Sequence, residues 1–112
     1  MILVTGAAGY IGRALIPRLG ELGLAFRAVD IVEPESGIPP THRIEKMDIR
    51  DSGQWSEALE GADTVIHLAA ESYIDVCEKS PNEAMLTNLA SVYLLLKAAR
   101  NHQVKKIIFP SS

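Results

Sequence analysis

Three glycines, Gly6, Gly9 and Gly12, recur every third residue in Thr5-Gly6-Ala7-Ala8-Gly9-Tyr10-Ile11-Gly12, directly after the wholly apolar run Ile2-Leu3-Val4. A glycine-rich turn that joins a strand to a helix suits the binding of a diphosphate. Glycine allows a tight turn and a close approach of backbone to ligand, and the helix N-terminus offers unpaired N–H groups with partial positive charge. Eighteen residues beyond Gly12, at the end of the next apolar run, stands Asp30. A carboxylate there accepts hydrogen bonds from a ribose diol and repels a 2′-phosphate. Glu33 and Glu35 add negative charge nearby, and no Lys or Arg lies between Asp30 and Arg43. The ligand expected from these residues is NAD, with NADP disfavoured; Arg13 and Arg43 are the basic side chains that could fold back toward the ribose.

These groups need strands and helices in alternation to hold them. Residues 2–4 form the first strand, an unbroken apolar run of the kind covered on both faces. Ile11, Leu15, Leu19 and Leu22 recur at helical spacing, which predicts a helix over residues 10–22 closed by Gly23 as a left-handed cap. Pro17 and Gly20 oppose that helix, and an interior proline costs about 3 kcal/mol relative to alanine, so a bend is expected there. Residues 25–31 read as the second strand, residues 33–40 as loop and residues 43–49 as a third strand. Asp51 and Gln54 bracket a helix start, with Trp55, Ala58 and Leu59 as its apolar face. Residues 64–68 form the fourth strand. Ser80-Pro81-Asn82-Glu83 combines an N-cap serine, a first-turn proline and a glutamate three residues after the cap, which starts a long helix ending near Asn101. Met85, Leu89, Val92, Leu96 and Ala99 trace its expected buried face. Residues 104–109 are the fifth strand. The expected fold class is α/β: a Rossmann-type three-layer α/β/α domain over residues 1–112, with a parallel sheet in the order 3-2-1-4-5, truncated after strand five.

A chain of 112 residues that is 47% hydrophobic and 22% charged can bury one core and is too short for two domains. Eleven Lys and Arg against fourteen Asp and Glu give a net charge of −3 without a basic stripe, so nucleic acid is not expected as a partner. The single cysteine, Cys77, cannot form an internal disulfide, and no Cys/His spacing suits a metal. No apolar run approaches the roughly 20 residues that span a bilayer, and the start is unlike a signal peptide. A cytoplasmic protein without a membrane partner is expected.

The glycine octapeptide, Asp30, Asp48-Ile49-Arg50-Asp51, His67-Leu68-Ala69-Ala70-Glu71-Ser72 and Asn88 together resemble the N-terminal half of extended short-chain dehydrogenases/reductases, the NAD-dependent epimerase/dehydratase family acting on nucleotide sugars. The resemblance covers the whole chain. It implies that Tyr10 and Ile11 offer backbone N–H groups to the pyrophosphate within the Gly6, Gly9 and Gly12 turn, that Asp30 and Ile31 flank the ribose, and that Asp48 and Ile49 meet the adenine. Leu68, Ala69 and Ala70 would line the cofactor cleft, Asn88 would sit near the nicotinamide end, and Ser112 would be the catalytic hydroxyl. The family's YxxxK pair is missing. Tyr93 and Lys97 match it by letters only, because they fall in the helix before strand five. Ser91 and Val92 stand where the resemblance would put Gly-Thr, and Pro110, which precedes the serines and cannot donate to a sheet ladder, should fray the end of strand five. His67 reads as a hydrogen-bonded cleft or core histidine, Cys77 as an inert thiol, and Glu71 and Asp75 as solvated carboxylates.

The implied function is the NAD-binding portion of a nucleotide-sugar epimerase/dehydratase-like oxidoreductase, catalytically incomplete alone. A nucleotide-sugar substrate belongs to a complete homologue, and a homo-oligomer or a partner supplying the missing half is expected. The alternative is a stand-alone dinucleotide-binding or interaction module that needs a partner.

Overall fold

The computed structural model describes residues 1–32 and 42–111. Strands β1 (Ile2–Thr5), β2 (Phe26–Asp30), β3 (Ile44–Lys46), β4 (Thr64–His67) and β5 (Lys106–Ile108) form one parallel sheet in the order β3-β2-β1-β4-β5. The order is the expected one. Between the strands run helices α1 (Tyr10–Glu21), α2 (Ser52–Ala58), α3 (Ile74–Lys79), α4 (Pro81–Met85) and α5 (Ser91–Asn101), with a π-helical turn, Leu86–Ala90, joining the last two.

β1 is central, paired with β2 on one side and β4 on the other, and Leu3, Val4 and Thr5 are fully buried. Alternate residues serve different layers. Leu3, Val29 and Val65 meet Trp55, Leu59, Leu95 and Ala99 from α2 and α5 and their flanks, whereas Val4 and Ala28 meet Ile16 and Leu19 of α1. Burial on both sides explains why these strands read as continuous apolar runs with no polar alternation.

Helix α1 continues unbroken through Pro17, with Ile16 and Leu19 buried around it. Its end follows the sequence closely. Gly23 has φ +68, its N–H donates to the Gly20 carbonyl at 3.0 Å, and the Leu24 N–H donates to the Leu19 carbonyl at 3.1 Å. That pair of bonds satisfies carbonyls the helix leaves open. At α2 the Asp51 carboxylate accepts from the Gly53 N–H at 2.9 Å, as a cap should, and Gln54 Nε2 donates to the same carboxylate at 2.8 Å.

Four expectations need correction. Strands β2 to β5 are shorter than expected, β3 most of all, and β1 runs one residue longer, to Thr5. The Ser80 side chain makes no capping bond; its carbonyl accepts from the Ala84 N–H at 3.0 Å and its N–H donates to the Val76 carbonyl at 2.9 Å. Helix α3 has no counterpart in the sequence reading, because it buries no residue and so carries no apolar period. The long helix buries Ala99 as expected, but its other buried positions are Ala84, Ser91 and Leu95, while Met85, Leu89 and Leu96 are more than half exposed. The buried row runs one residue earlier than the expected one on both sides of the π turn, with Ala84 in place of Met85 and Ser91 and Leu95 in place of Val92 and Leu96, so the helix sets two small side chains inward where larger apolar ones were expected.

Candidate functional site

A cleft of about 720 Å³ opens at the carboxyl ends of β1, β2 and β4, where the chain leaves β1 in one direction across the sheet and returns to its other side. Open α/β sheets bind ligands at such a reversal point, and the volume lies within the range of small-molecule sites. Gly6, Gly9 and Tyr10 form one wall. Gly6 has φ +69, and a Cβ on it would stand 2.5 Å from the Ala69 nitrogen. Only glycine therefore allows this turn to close against the loop after β4. Gly12 lies outside the lining and does a different job: a Cβ there would sit 2.5 Å from the Ala7 carbonyl oxygen, so its absence lets α1 settle onto the loop. Ile11 is exposed and also outside the lining. Helix α1 starts from Gly9 with no side-chain cap and no acidic residue in its first turn, which leaves its N–H groups without a side-chain acceptor.

Asp30 and Ile31 form the second wall. The Asp30 carboxylate accepts from the Ala8 N–H at 2.9 Å and from the Val32 N–H at 3.0 Å, one through each oxygen. An ionised carboxylate has about four acceptor positions, so two remain for a ligand. Ala8 is a site residue that sequence reasoning misses. Its N–H ties the glycine loop to the end of β2, and no side-chain signal announces a backbone donor. Arg13 also lines the cleft, with Nε donating to the Ala8 carbonyl at 2.7 Å.

Asp48 and Ile49 enter from the loop between β3 and α2, and α2 holds them there. Gln54 Oε1 accepts from the Asp48 N–H at 3.0 Å, and the buried Trp55 indole donates to the Ile49 carbonyl at 2.8 Å. The Asp48 carboxylate is engaged by Arg50, Nη2 to Oδ2 at 2.9 Å, and that hydrogen-bonded guanidinium holds its carboxyl below the usual carboxylate range. Arg50 reaches onward to Glu83 on α4 at 2.7 Å, spanning the cleft rim. Arg50 stands within the sequence motif, but its link to Glu83 crosses thirty-three positions and is not legible there.

Leu68, Ala69 and Ala70 form the wall beyond β4. Asn88 lies outside the lining; from the π turn it grips this loop instead. Its Oδ1 accepts from the Glu71 N–H at 2.7 Å and its Nδ2 donates to the Glu71 carbonyl at 2.9 Å. Cys77 is half-buried beside the same carbonyl, Sγ at 3.6 Å. Ser112 lies outside the described residues. Tyr93 is exposed on α5, away from the cleft. Among the described residues, no group of three or more His, Cys, Asp or Glu is placed to hold a metal ion, and no helix is long and apolar enough to cross a membrane.

His67 lies buried at the end of β4, outside the cleft lining. Its ring lies between Trp55 and Phe109, with centroids at 5.9 Å and 5.2 Å, and burial lowers its pKa from 6.5 to about 4. Between those two values the unfolded chain binds a proton that the folded chain refuses, so unfolding is favoured as pH falls. The stability held above pH 6.5 should therefore drain away toward pH 4, by on the order of 3 kcal/mol. Urea midpoints at pH 7 and pH 4.5, for the parent chain and His67→Phe, measure this; equal pH slopes in the two proteins would remove His67 as the source.

The family model described as NAD dependent epimerase/dehydratase matches residues 2–112. The chain belongs to that family. This epimerase/dehydratase-family chain is 31% identical to a uronate dehydrogenase of Pseudomonas syringae pv. tomato, over 99% of itself and 39% of the relative. It is 36% identical to a UDP-glucose 4-epimerase of Halalkalibacterium halodurans, over 99% of itself and 34% of that protein. Among solved structures, the UDP-glucose 4-epimerase of Thermus thermophilus in complex with NAD superposes with a TM-score of 0.87 at 29% identity, over 99% of this chain and 37% of the other. The family chain thus spans well under half the length of these relatives, and it corresponds to the N-terminal, NAD-binding part of epimerase/dehydratase-type enzymes.

Proposed function

We propose that this chain binds NAD in the cleft at the ends of β1, β2 and β4, as the dinucleotide-binding domain of an oxidoreductase acting on nucleotide sugars. One observation carries the reading: Asp30, at the end of β2, holds the Ala8 N–H of the glycine loop and still has acceptor positions facing the cleft. The residues present fit the cofactor. The uncapped N-terminus of α1 suits the diphosphate, Asp30 the ribose diol, Asp48 and Ile49 the adenine, and the small side chains of Ala69 and Ala70 leave room beyond β4. When bound, NAD supplies a hydride acceptor. The protein's share is to bind and orient it and to keep a 2′-phosphate away from Asp30.

The sugar, the reaction on it and the Ser112 hydroxyl as a catalytic group are parts of the same proposal that need the longer proteins' remaining elements. Its finer points also include a cytoplasmic location, consistent with a lone unpaired cysteine, and a homo-oligomer, supported by the exposed Met85, Leu89 and Leu96 along α4, the π turn and α5.

Calorimetric titration with NAD and NADP tests the reading. The parent chain should bind NAD and prefer it to NADP. Asp30→Ala should weaken NAD binding about ten- to a hundredfold, because hydrogen bonds to a charged group contribute about 1.5–3 kcal/mol and 1.4 kcal/mol is tenfold. Asp30→Asn, which removes only the charge, should narrow the preference over NADP. Binding of neither nucleotide by the parent chain defeats the proposal.

A further inference from the structure

Thr5 and His67 face one another across the β1–β4 pair, at the last register position of that ladder. The Thr5 hydroxyl and His67 Nδ1 are 2.8 Å apart, and both side chains are buried. The same Thr5 oxygen accepts from the Ala69 N–H at 3.3 Å. Ala69 is the residue whose nitrogen abuts Gly6, so one hydroxyl lies between the imidazole and the peptide that meets the glycine turn. Neither Thr5 nor His67 lines the cleft.

The bond pattern restricts the imidazole to one form. Thr5 has a single hydroxyl proton and no acceptor for it among the described residues other than His67 Nδ1. If Nδ1 carried a proton, two donors would face the Thr5 oxygen and its own proton would be left buried without an acceptor, at the cost of an unmade hydrogen bond. Nδ1 must therefore be the acceptor and Nε2 the protonated nitrogen. Trp55 and Phe109 hold the ring in the orientation this requires.

The geometry points to His67 as a positioning residue for the cleft: as the neutral Nε2–H tautomer it accepts a hydrogen bond from the Thr5 hydroxyl through Nδ1, which aims the Thr5 oxygen at the Ala69 N–H and sets the gap between the glycine turn and the loop after β4. The effect on ligand affinity rests on the proposed NAD reading; the tautomer and the hold on Ala69 do not. His67 touches no ligand itself. It acts through Thr5, so its loss differs from the loss of a lining group.

Nitrogen-15 NMR of the parent chain at pH 7 reads the tautomer directly, with an unprotonated Nδ1 and a protonated Nε2 expected. Amide exchange then reads the hold on Ala69. Thr5→Val and His67→Phe should speed exchange at Ala69 at least tenfold, while Thr5→Ser and His67→Asn, which restore the hydroxyl and a nearby acceptor oxygen, should return it to within about threefold of the parent. In NAD titrations, Thr5→Val and His67→Phe should each weaken binding about five- to tenfold, and the double variant should be no worse than either alone, because both break one chain of bonds. A protonated Nδ1, unchanged exchange at Ala69 in folded Thr5→Val, or fully additive affinity losses would each overturn the inference. Should the parent chain fail to bind NAD, the proposed function falls while the tautomer and the Ala69 exchange still decide this one. Thr5→Val keeps the side chain's shape, so the test survives if His67→Phe does not fold.

Discussion

Gly6→Ala should abolish measurable NAD binding and lower the melting temperature by more than any other single methyl added to a turn glycine. The added Cβ would stand 2.5 Å from the Ala69 nitrogen, 2.7 Å from the Leu68 carbonyl carbon and 2.8 Å from the Ala69 Cα, all of them backbone atoms. Backbone cannot swing aside as a flexible side chain can. Either the glycine turn or the loop after β4 must move, and the cleft lies between them. The left-handed backbone adds roughly 1–2 kcal/mol for a residue with a Cβ. Gly23→Ala provides the matched control. Gly23 has nearly the same φ, +68, yet nothing lies within 4 Å of its Cβ position. It should lose about 1 kcal/mol of stability to the same strain and keep full affinity. Calorimetry and thermal melts of the two variants side by side give the answer. If Gly6→Ala binds NAD like the parent chain, the contact between turn and loop does not shape the site.

The second large effect is on stability. Trp55→Ala should cost about 3–5 kcal/mol, the usual range for emptying an aromatic site in a core. A domain's whole stability is only about 5–15 kcal/mol, so this variant should be largely unfolded at moderate temperature. Trp55 has no solvent exposure, lies in the cluster with Leu3, Leu59 and Leu95, and donates its indole N–H to the Ile49 carbonyl. Trp55→Phe separates these contributions. It keeps most of the apolar volume and loses the N–H, so its cost should be about 1–2 kcal/mol. Because Ile49 sits on the cleft wall, Trp55→Phe should also loosen the loop between β3 and α2 and weaken NAD binding modestly. Urea midpoints followed by far-ultraviolet circular dichroism measure both variants. A shift below about 1 kcal/mol for Trp55→Ala would show that the core closes over the gap.

What the sequence makes legible is the framework at the end of each strand. Strand order follows from alternation of apolar runs with helical spacing, and the cap at Gly23 and the helix start at Asp51 follow from residues whose chemistry suits one position in a helix. Gly6 and Asp30 are legible for the same reason. The features that escape it have a different character. Ala8 acts through its backbone N–H, which every residue but proline possesses, and the Arg50 pairing with Glu83 depends on how α4 approaches the loop after β3. The buried row of the long helix departs from the expected one by a single residue because the largest apolar side chains marked the stripe, whereas the small Ala84 and Ser91, on either side of the π turn at residues 86–90, take inward positions. Asn88 stands out as a residue type, but its two bonds to Glu71 depend on that same irregular turn.

Trp55 is the chain's only tryptophan, wholly enclosed behind the cleft wall at Ile49 and 5.9 Å from the His67 ring. The protein thus carries its own optical reporter. An imidazolium quenches a neighbouring excited indole more strongly than neutral imidazole does, so emission at a fixed, folded state should dim as acid charges His67. Loss of the enclosure should shift the emission to longer wavelength. One spectrum, recorded without any dye, can therefore separate protonation beneath the cleft from collapse of the domain around it.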